Sequence, residues 1–422
     1  MTQLVRRHAQ DHLGLLGTSF RVVIVEGPRQ AGKTTLLELF RADRGGSMRT
    51  LDDASTMAAA LTDPIGFADY GTEPRIIDEI QRGGDALIRA IKFVVDRDNR
   101  RGQFVISGST RFLTVPTLSE SLAGRAVFVE LWPFTMAERV GVAADFPAAL
   151  FSGPDAMLDL GPSNWTRPAY LDVMVAGGYP EAVALPSGAT RRAWFDAYLR
   201  TVIERDMRGF ADIGHANAMP RLLALVGARA GSSTVITDLS RSVELNQATV
   251  KSYLTYLQTV FLTQTCLPYS ANLTARLTKT PKIFLTDSGL AAFLTGVDVA
   301  ALAEPGHPAM GGLVETFAFA ELTRLLAARN DAGASLMHLR DRDGREVDFV
   351  LETRAGQVAG VEIKAAQTVN STDFRHLAWL RDRLGERFTV GVVLYLGREP
   401  LSFGDRLVAV PLSAFWQHAP LS

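Results

Sequence analysis

The sequence is poor in cysteine and has no long apolar run. Its 422 residues include a single cysteine, Cys266, which excludes an intramolecular disulfide and predicts a reducing compartment, the cytoplasm. No apolar run reaches the roughly 18 residues that a membrane-spanning helix needs. The first residues, MTQLVRRHAQDHL, are too polar for a signal peptide. We therefore expect a cytoplasmic protein with no membrane partner.

An excess of charge of either sign is also missing. The chain has 44 basic and 45 acidic residues, a formal net charge of −1. This balance excludes a uniformly basic nucleic-acid-binding surface, although it allows a local basic patch. Hydrophobic residues make up 47% of the chain, a normal fraction for a globular protein. The length is enough for roughly two to four domains.

The strongest pattern is a strand, a glycine-containing loop and a helix in residues 22–40. Residues 22–25 are apolar and β-branched, as in a buried strand, and residues 36–40 carry apolar side chains at helical spacing. The loop between them, GPRQAGKT, fits the phosphate-binding pattern G-x-x-x-x-G-K-[ST]. ATP phosphates are therefore predicted to bind at Gly27, Pro28, Arg29, Gln30, Ala31, Gly32, Lys33, Thr34 and Thr35.

The residue types of this loop suit phosphate chemistry. Gly27 and Gly32 are expected to take positive φ and to let the backbone approach a phosphate. The N–H groups of the loop and of the first helical turn would form a nest for the anion. Lys33 would supply positive charge to the β and γ phosphates, and Thr34 would offer its hydroxyl to Mg²⁺.

Two acidic residues end the next predicted core strand, in the segment RIIDEIQ. Asp78 is predicted to hold Mg²⁺, and Glu79 to polarise the attacking water as a general base. The alternative is a strand end with two solvated carboxylates. Asp52 and Asp53, which follow an earlier predicted strand, are interpreted mainly as turn carboxylates, with a place near the nucleotide as the alternative.

A third predicted strand, residues 103–106, leads to the polar segment SGST. Ser109 or Thr110 would touch the γ-phosphate or the attacking water there, although a plain turn explains these residues equally well. Arg125, after SLAG, could stabilise transition-state charge on the nucleotide of a neighbouring copy. That role implies a homo-oligomer, and a surface arginine is the alternative.

These segments together resemble a family of bacterial and archaeal AAA-superfamily ATPases. The resemblance lies in GPRQAGKTTL, IIDEIQ, ISGST and SLAGR, and also in residues 177–181, 204–206 and 281–290, so it covers nearly the whole chain. It implies an ATPase domain, a winged-helix region and a C-terminal domain similar to restriction endonucleases. It does not imply a settled biological role. The cluster at 204–206 could face the nucleotide, or could form a salt-bridged helix face.

The middle of the chain fits a winged helix. A helix over 237–243, a turn at 244–246 and a second helix over 247–260 would be followed by strands at 261–267 and 282–286. The second helix has a core stripe of four apolar residues at helical spacing. Its opposite face could read a DNA groove or dock a protein, and the two roles stay open. The stripe is Val250, Tyr253, Leu254 and Leu257, and the outward residues are Thr249, Lys251, Ser252 and Thr255.

The C-terminal part contains an Asp followed by Glu-x-Lys, a pattern that looks like the core of PD-(D/E)xK nucleases. Glu362 and Lys364 share one face of a strand because side chains alternate, and Asp348 would converge from the neighbouring strand. Asp348, Glu362 and the carbonyl of Ile363 could hold a divalent cation, with Glu315 completing the shell and Lys364 orienting a water. An ordinary ion pair between Glu362 and Lys364 is the alternative.

The sequence thus predicts an α/β protein in four parts. These are an AAA-type P-loop ATPase domain at 1–140, a helical lid or linker at 141–220, a winged-helix domain at 221–300 and a restriction-endonuclease-like domain at 301–422. The predicted function is Mg²⁺-dependent hydrolysis of ATP, coupled to a DNA-binding or nuclease-like C-terminal region. The alternative is a nucleotide-dependent switch whose C-terminal domains only bind a protein partner.

Overall fold

The computed structural model describes residues 4–111, 122–186, 188–203, 218–232, 235–270, 280–328 and 333–417. The chain forms two compact units. The N-terminal unit comprises Met1–Phe134, Thr259–Phe261 and Ala327–Asn330, and the C-terminal unit comprises Thr135–Gln258, Leu262–Leu326 and Asp331–Ser422.

The N-terminal unit is built on a parallel sheet of five strands among the residues described, in the order β2-β3-β4-β1-β5. Its strands are β1 (Val22–Glu26), β2 (Ser47–Thr50), β3 (Arg75–Asp78), β4 (Phe104–Gly108) and β5 (Ala126–Glu130). Its helices are α1 (Ala9–Ser19), α2 (Lys33–Arg44), α3 (Ala54–Thr62), α4 (Pro64–Asp69) and α5 (Gly84–Arg97).

Apolar residues cover both faces of this sheet. Along β1, Val23 and Val25 pack on the face covered by α1 and α2, whereas Val22 and Ile24 pack on the face covered by α5. This alternation follows from the two-residue period of a strand, and burial on both faces explains why the strands are almost entirely apolar. Because the strands are parallel, the residues that follow β1, β3 and β4 meet at one edge.

The C-terminal unit combines short helices with a mixed sheet in the order β12-β13-β11-β10-β9-β8-β6-β7. Its strands are β6 (Thr263–Pro268), β7 (Lys282–Leu285), β8 (Ser335–Arg340), β9 (Glu346–Glu352), β10 (Val358–Lys364), β11 (Phe388–Tyr395), β12 (Leu401–Ser402) and β13 (Leu407–Pro411). Its helices are α6 (Met136–Val140), α7 (Phe146–Ser152), α8 (Pro154–Leu158), α9 (Arg167–Ala176), α10 (Pro180–Ala184), α11 (Ala189–Thr201), α12 (Ala218–Ala228), α13 (Ile236–Val243), α14 (Gln247–Thr259), α15 (Ser288–Thr295), α16 (Val299–Ala303), α17 (Met310–Ala328) and α18 (Arg375–Leu384).

The predicted boundary at residue 300 does not separate two compact bodies. Strand β6, from the predicted winged helix, pairs in parallel with β8, from the predicted nuclease-like domain, and Leu267 lies opposite Met337. Backbone pairing therefore joins the two predicted parts in one sheet. The predicted helical lid or linker at 141–220 begins with α7 and α8, whose Phe146, Leu150 and Met157 are buried.

A buried charge network explains the first of the two glycines that begin the segment GGYPE. Asp287 is fully buried and accepts hydrogen bonds from the backbone N–H of Gly178 at 2.7 Å and from the Arg324 guanidinium at 2.9 Å. Gly177 has φ +68°, and a Cβ there would lie 2.1 Å from a carboxylate oxygen of Asp287. Only glycine fits this approach.

Candidate functional site

The predicted phosphate-binding loop lies between β1 and α2. Gly32 has φ +95° and precedes the helix, which begins at Lys33. Gln30 also takes a positive φ, 60°. Gly27 does not, so the prediction of positive φ was wrong for this residue. Glycine is required at this position for another reason. The backbone at Gly27 passes so close to Leu131 that a Cβ would lie 2.0 Å from the carbonyl oxygen of Leu131.

The ammonium group of Lys33 lies inside the loop. The residue is only 5% exposed, and its Nζ donates hydrogen bonds to the carbonyl oxygens of Gly27 at 3.0 Å and Pro28 at 2.9 Å. Lys33 is therefore at the place where a bound anion would meet both the backbone N–H groups and a positive charge.

Arg7, in the N-terminal segment, contacts the loop although no sequence pattern predicts this role. Its guanidinium donates to the carbonyl oxygen of Ala31 at 2.8 Å and to that of Trp132 at 2.5 Å. It also lies over the ring of Phe134, 4.8 Å from the ring centre. Arg7 is 6% exposed and stands outside any motif, so only tertiary contacts reveal that it braces the loop.

Asp78 connects the loop to the central strands. Its side chain is nearly fully buried, and one oxygen accepts a hydrogen bond from Thr34 Oγ1 at 2.7 Å. The other oxygen accepts a hydrogen bond from the hydroxyl of Ser107, at the tip of β4. The sequence pattern predicts Ser109 or Thr110 at this tip, and the structure adds Ser107 as a partner of Asp78.

Glu79 has an unusual backbone conformation, with φ 56° and ψ 44°. Non-glycine residues rarely occupy this left-handed region, and such residues cluster at functional sites. The carboxylate of Glu79 accepts hydrogen bonds from the Gln81 amide and from Ser109 Oγ, the latter at 3.4 Å. Gln81 also donates to Ser109 Oγ at 2.9 Å. These three side chains therefore form a connected group beside Asp78.

Three other predicted residues of this unit make side-chain contacts outside the group. Arg125 directly precedes β5, so it lies at the amino end of the parallel strands, whereas the loop lies at their carboxyl end. Its guanidinium makes a two-point ion pair with Asp96 at 2.5 and 2.9 Å. Asp53 caps α3 by accepting from the Thr56 N–H at 2.8 Å. Asp52 pairs with Arg82. Asp53 is thus a cap residue, and Asp52 lies in the turn after β2 and forms an ion pair.

Four predicted residues of the C-terminal unit do converge. The backbone N–H of Ile363 donates to Asp348 at 2.8 Å, and that of Asp348 donates to Glu362 at 3.4 Å. Lys364 Nζ lies 3.1 Å from Glu362. Glu315 reaches the cluster from α17. Burial, followed by the nearby Asp348 charge, raises the pKa of Glu315 to about 7 and that of Glu362 to about 8.

Lys282 and Glu346, which lie outside the predicted Asp and Glu-x-Lys pattern, complete this cluster. Lys282 is fully buried on β7, and its Nζ lies 2.9 Å from Glu315, 2.9 Å from Glu346 and 3.8 Å from Asp348. Burial alone would lower the pKa of Lys282, but the three carboxylates raise it above its usual value. Within the described residues, no three acidic, histidine or cysteine side chains are arranged to hold a metal ion.

The helices predicted for a winged helix occur in the expected order. The four residues of the predicted core stripe on α14 are buried, whereas Lys251, Ser252 and Thr255 are exposed and Thr249 is half-buried. β6 and β7 pair antiparallel after it, with Cys266 opposite Lys282. The charged cluster at residues 204–206, which could face the nucleotide or form a salt-bridged helix face, lies outside the described residues.

Comparisons with known proteins place this chain in a family. Residues 19–140 match the AAA domain. Residues 167–301 and 310–415 match two domains of unknown function, DUF8612 and DUF4143. The uncharacterized protein Rv2008c of Mycobacterium tuberculosis is 31% identical over 392 residues, which cover 92% of this chain and 80% of that protein. The uncharacterized protein Mb2031c of Mycobacterium bovis gives the same values.

The chain belongs to the family of these mycobacterial proteins. It carries an AAA-type P-loop ATPase domain, and this match supports ATP binding. Among solved structures, the Walker-type ATPase PABY2304 of Pyrococcus abyssi is 15% identical, with a TM-score of 0.40 and coverage of 68% of this chain and 95% of that chain. The RuvB Holliday junction branch migration motor of Thermotoga maritima is 17% identical, with a TM-score of 0.27 and coverage of 61% of this chain and 85% of that chain.

No described helix is both long and apolar enough to cross a membrane.

Proposed function

We propose that this protein hydrolyses ATP to ADP and phosphate with Mg²⁺ and uses the nucleotide state to control what its C-terminal region binds. The observation that carries the proposal is the meeting of Lys33, Thr34, Asp78 and Glu79 at one edge of the sheet, where Thr34 and Asp78 are 2.7 Å apart. A phosphate-binding loop next to a buried Asp-Glu pair is the arrangement that phosphoryl transfer requires.

The residues at this edge fit a magnesium ion. The Thr34 hydroxyl and the Asp78 carboxylate are hard oxygen ligands, and Ser107 holds the second Asp78 oxygen so that the first faces Thr34. Bound Mg²⁺ would neutralise charge on the phosphate oxygens. Lys33 would bind the β and γ phosphates, and the N–H groups of the loop would orient them.

Glu79 would accept a proton from the attacking water. Gln81 and Ser109 donate hydrogen bonds to its carboxylate, so they would fix its orientation, and Ser109 would also lie close to the water or the γ-phosphate. A general base must be held within hydrogen-bonding reach of the proton that it removes.

The test of this function is phosphate release from ATP. The wild type is expected to release phosphate with Mg²⁺ and not with a chelator, and Lys33→Ala is expected to lose ATP affinity in isothermal titration. Lys92→Ala, a change on α5 outside the site, is the control and should keep both properties. If Lys33→Ala binds ATP as the wild type does, the assignment of the loop is wrong.

The C-terminal region has two candidate roles. The meeting of Asp348, Glu362 and Lys364 favours a nuclease-like role, in which these residues would act on DNA with a divalent cation beside Glu315. The buried Lys282 favours the alternative, a fold that binds a partner without cutting. A panel of single- and double-stranded nucleic acids, with and without ATP and with Mg²⁺ or Mn²⁺, separates the two, because only the first predicts cleavage that Asp348→Ala abolishes.

DNA binding is assigned to the exposed face of α14 in this proposal. If this helix enters a groove, Lys251→Glu should weaken DNA binding and reduce its salt dependence, because one phosphate contact is replaced by repulsion. Wild-type protein that binds no DNA at low salt would favour protein docking instead.

A further inference from the structure

The carboxylate cluster of the C-terminal unit surrounds a positive charge that belongs to the chain itself. Lys282 has no exposed side-chain surface. Its Nζ touches Glu315 of α17 and Glu346 of β9, each at 2.9 Å, and lies 3.8 Å from Asp348. Three acidic residues from two elements thus converge on one ammonium group.

This arrangement has a physical reason. A buried ammonium ion is costly unless nearby negative charges replace the water that it loses. The converse also holds, because three carboxylates brought together repel one another unless a cation or protons intervene. Lys282 and the three carboxylates therefore stabilise one another.

The cluster is also closed around Glu315. A Cβ on Gly231 would lie 2.0 Å from Glu315 Oε2, so the backbone at Gly231 covers the carboxylate. Glu315 Oε1 accepts from Lys282. The oxygens of Glu315 thus face the lysine and the chain, and a divalent cation that binds Glu315 and Asp348 together would have to compete with the ammonium of Lys282.

We propose that Lys282 is the resident cation of this cluster and stands in the place of the divalent metal that the nuclease-like pattern implies. The wild-type cluster accordingly binds no divalent cation. Removal of the lysine side chain lets Glu315, Glu346 and Asp348 move in around the vacated position, which then binds a hard divalent cation such as Mn²⁺ through their oxygens. The proposal does not depend on ATP hydrolysis.

The experiment measures Mn²⁺ binding to the full-length protein without nucleotide, by the loss of the electron paramagnetic resonance signal of free Mn²⁺. All proteins carry Asp78→Asn, which removes the carboxylate of the ATP site. This parent is expected to bind no Mn²⁺ at the C-terminal cluster. Adding Lys282→Ala should create one site at least tenfold tighter than any binding by the parent, and adding Asp348→Asn to that variant should abolish the new site. Adding Lys92→Ala to the parent is the matched control and should create none.

Two results would overturn the proposal. One is a parent protein that binds one Mn²⁺ ion which Asp348→Asn removes, because the metal would then bind beside Lys282. The other is a folded Lys282→Ala variant that gains no site.

The loss of Lys282 could also prevent folding, since it leaves buried carboxylates without their cation. Glu346→Gln, which removes one negative charge but keeps a side-chain carbonyl oxygen as a ligand, is therefore added to Lys282→Ala to reduce the repulsion. In both proteins the thermal unfolding midpoint is measured with and without Mn²⁺. Mn²⁺ is expected to raise the midpoint of the Lys282→Ala proteins and not that of the parent. If Mn²⁺ stabilises neither Lys282→Ala protein, the cluster is not a cation site.

Discussion

At the scale of single residues, Glu79 is the side chain on which hydrolysis is predicted to depend. Glu79→Gln keeps the shape of the side chain but removes the base, so ATP should still bind while turnover falls by at least about a hundredfold. Isothermal titration and a phosphate-release assay measure the two effects separately. Glu38→Gln, an exposed change on α2, should alter neither. Wild-type turnover by Glu79→Gln would remove Glu79 from the mechanism.

Arg7 is a second residue whose role can be measured. Arg7→Ala should weaken ATP binding about tenfold or more and lower the free energy of unfolding by about 2 kcal/mol or more, because charged hydrogen bonds to two carbonyl groups are lost. The neighbouring Arg6, whose side chain is 73% exposed, provides the matched control. If Arg6→Ala and Arg7→Ala have equal effects on ATP affinity, Arg7 does not brace the loop.

At the scale of elements, α17 brings a buried acid into the core of the C-terminal unit. Glu321 is 1% exposed and accepts a hydrogen bond from the Met136 N–H at 3.0 Å. Burial raises its pKa to about 7, although Arg324 and Arg139 oppose the shift and Glu138 adds to it. The folded state therefore holds this proton between about pH 4.5 and 7, while the unfolded chain loses it.

The sign of this difference gives a prediction for stability. The stabilisation of the folded state by protonated Glu321 is fully present below about pH 4.5 and is lost as the pH rises through about 7. Between these two pH values the free energy of unfolding should therefore fall by up to about 1.4 kcal/mol per pH unit. Denaturant unfolding at pH 5 to 8 measures the slope. Glu315 and Glu362 contribute to the same slope in the wild type, so the informative quantity is the difference between the wild type and Glu321→Gln. The exposed Glu304→Gln should leave the slope unchanged, and an unchanged slope in Glu321→Gln would contradict the assignment.

At the scale of the whole molecule, Arg125 tests whether copies of the chain act together. It lies at the amino end of β5, far from the loop of its own sheet, so a catalytic role would require the nucleotide of another copy. In that case the ATPase rate per chain should rise with protein concentration, and Arg125→Ala should abolish the rise. Arg89→Ala, on an exposed arginine of α5, should preserve it. A rate independent of concentration in a proven monomer would exclude the role.

The sequence alone determined the local parts of the nucleotide site. The loop from Gly27 to Thr34, the strand that ends at Asp78 and the polar tip of β4 were predictable, because each is a short segment whose apolar period and turn residues act on near neighbours. The shared face of Glu362 and Lys364 was predictable for the same reason, since the alternation of side chains along β10 sets which residues share a face. The place of Asp348 beside them depends in addition on the pairing of β9 with β10.

Only the tertiary structure decided which distant side chains complete these sites. Arg7 and Lys282 stand outside the patterns that mark the sites. Ser107 belongs to the segment SGST, but its hydrogen bond to Asp78 is a long-range contact, as are the contacts of the other two residues. The pairing of β6 with β8 joins the predicted winged-helix and nuclease-like parts. This pairing is also a long-range contact, because the two strands are about seventy residues apart in the sequence. Local periodicity carries no information about such pairings, because they depend on how complete elements pack against one another.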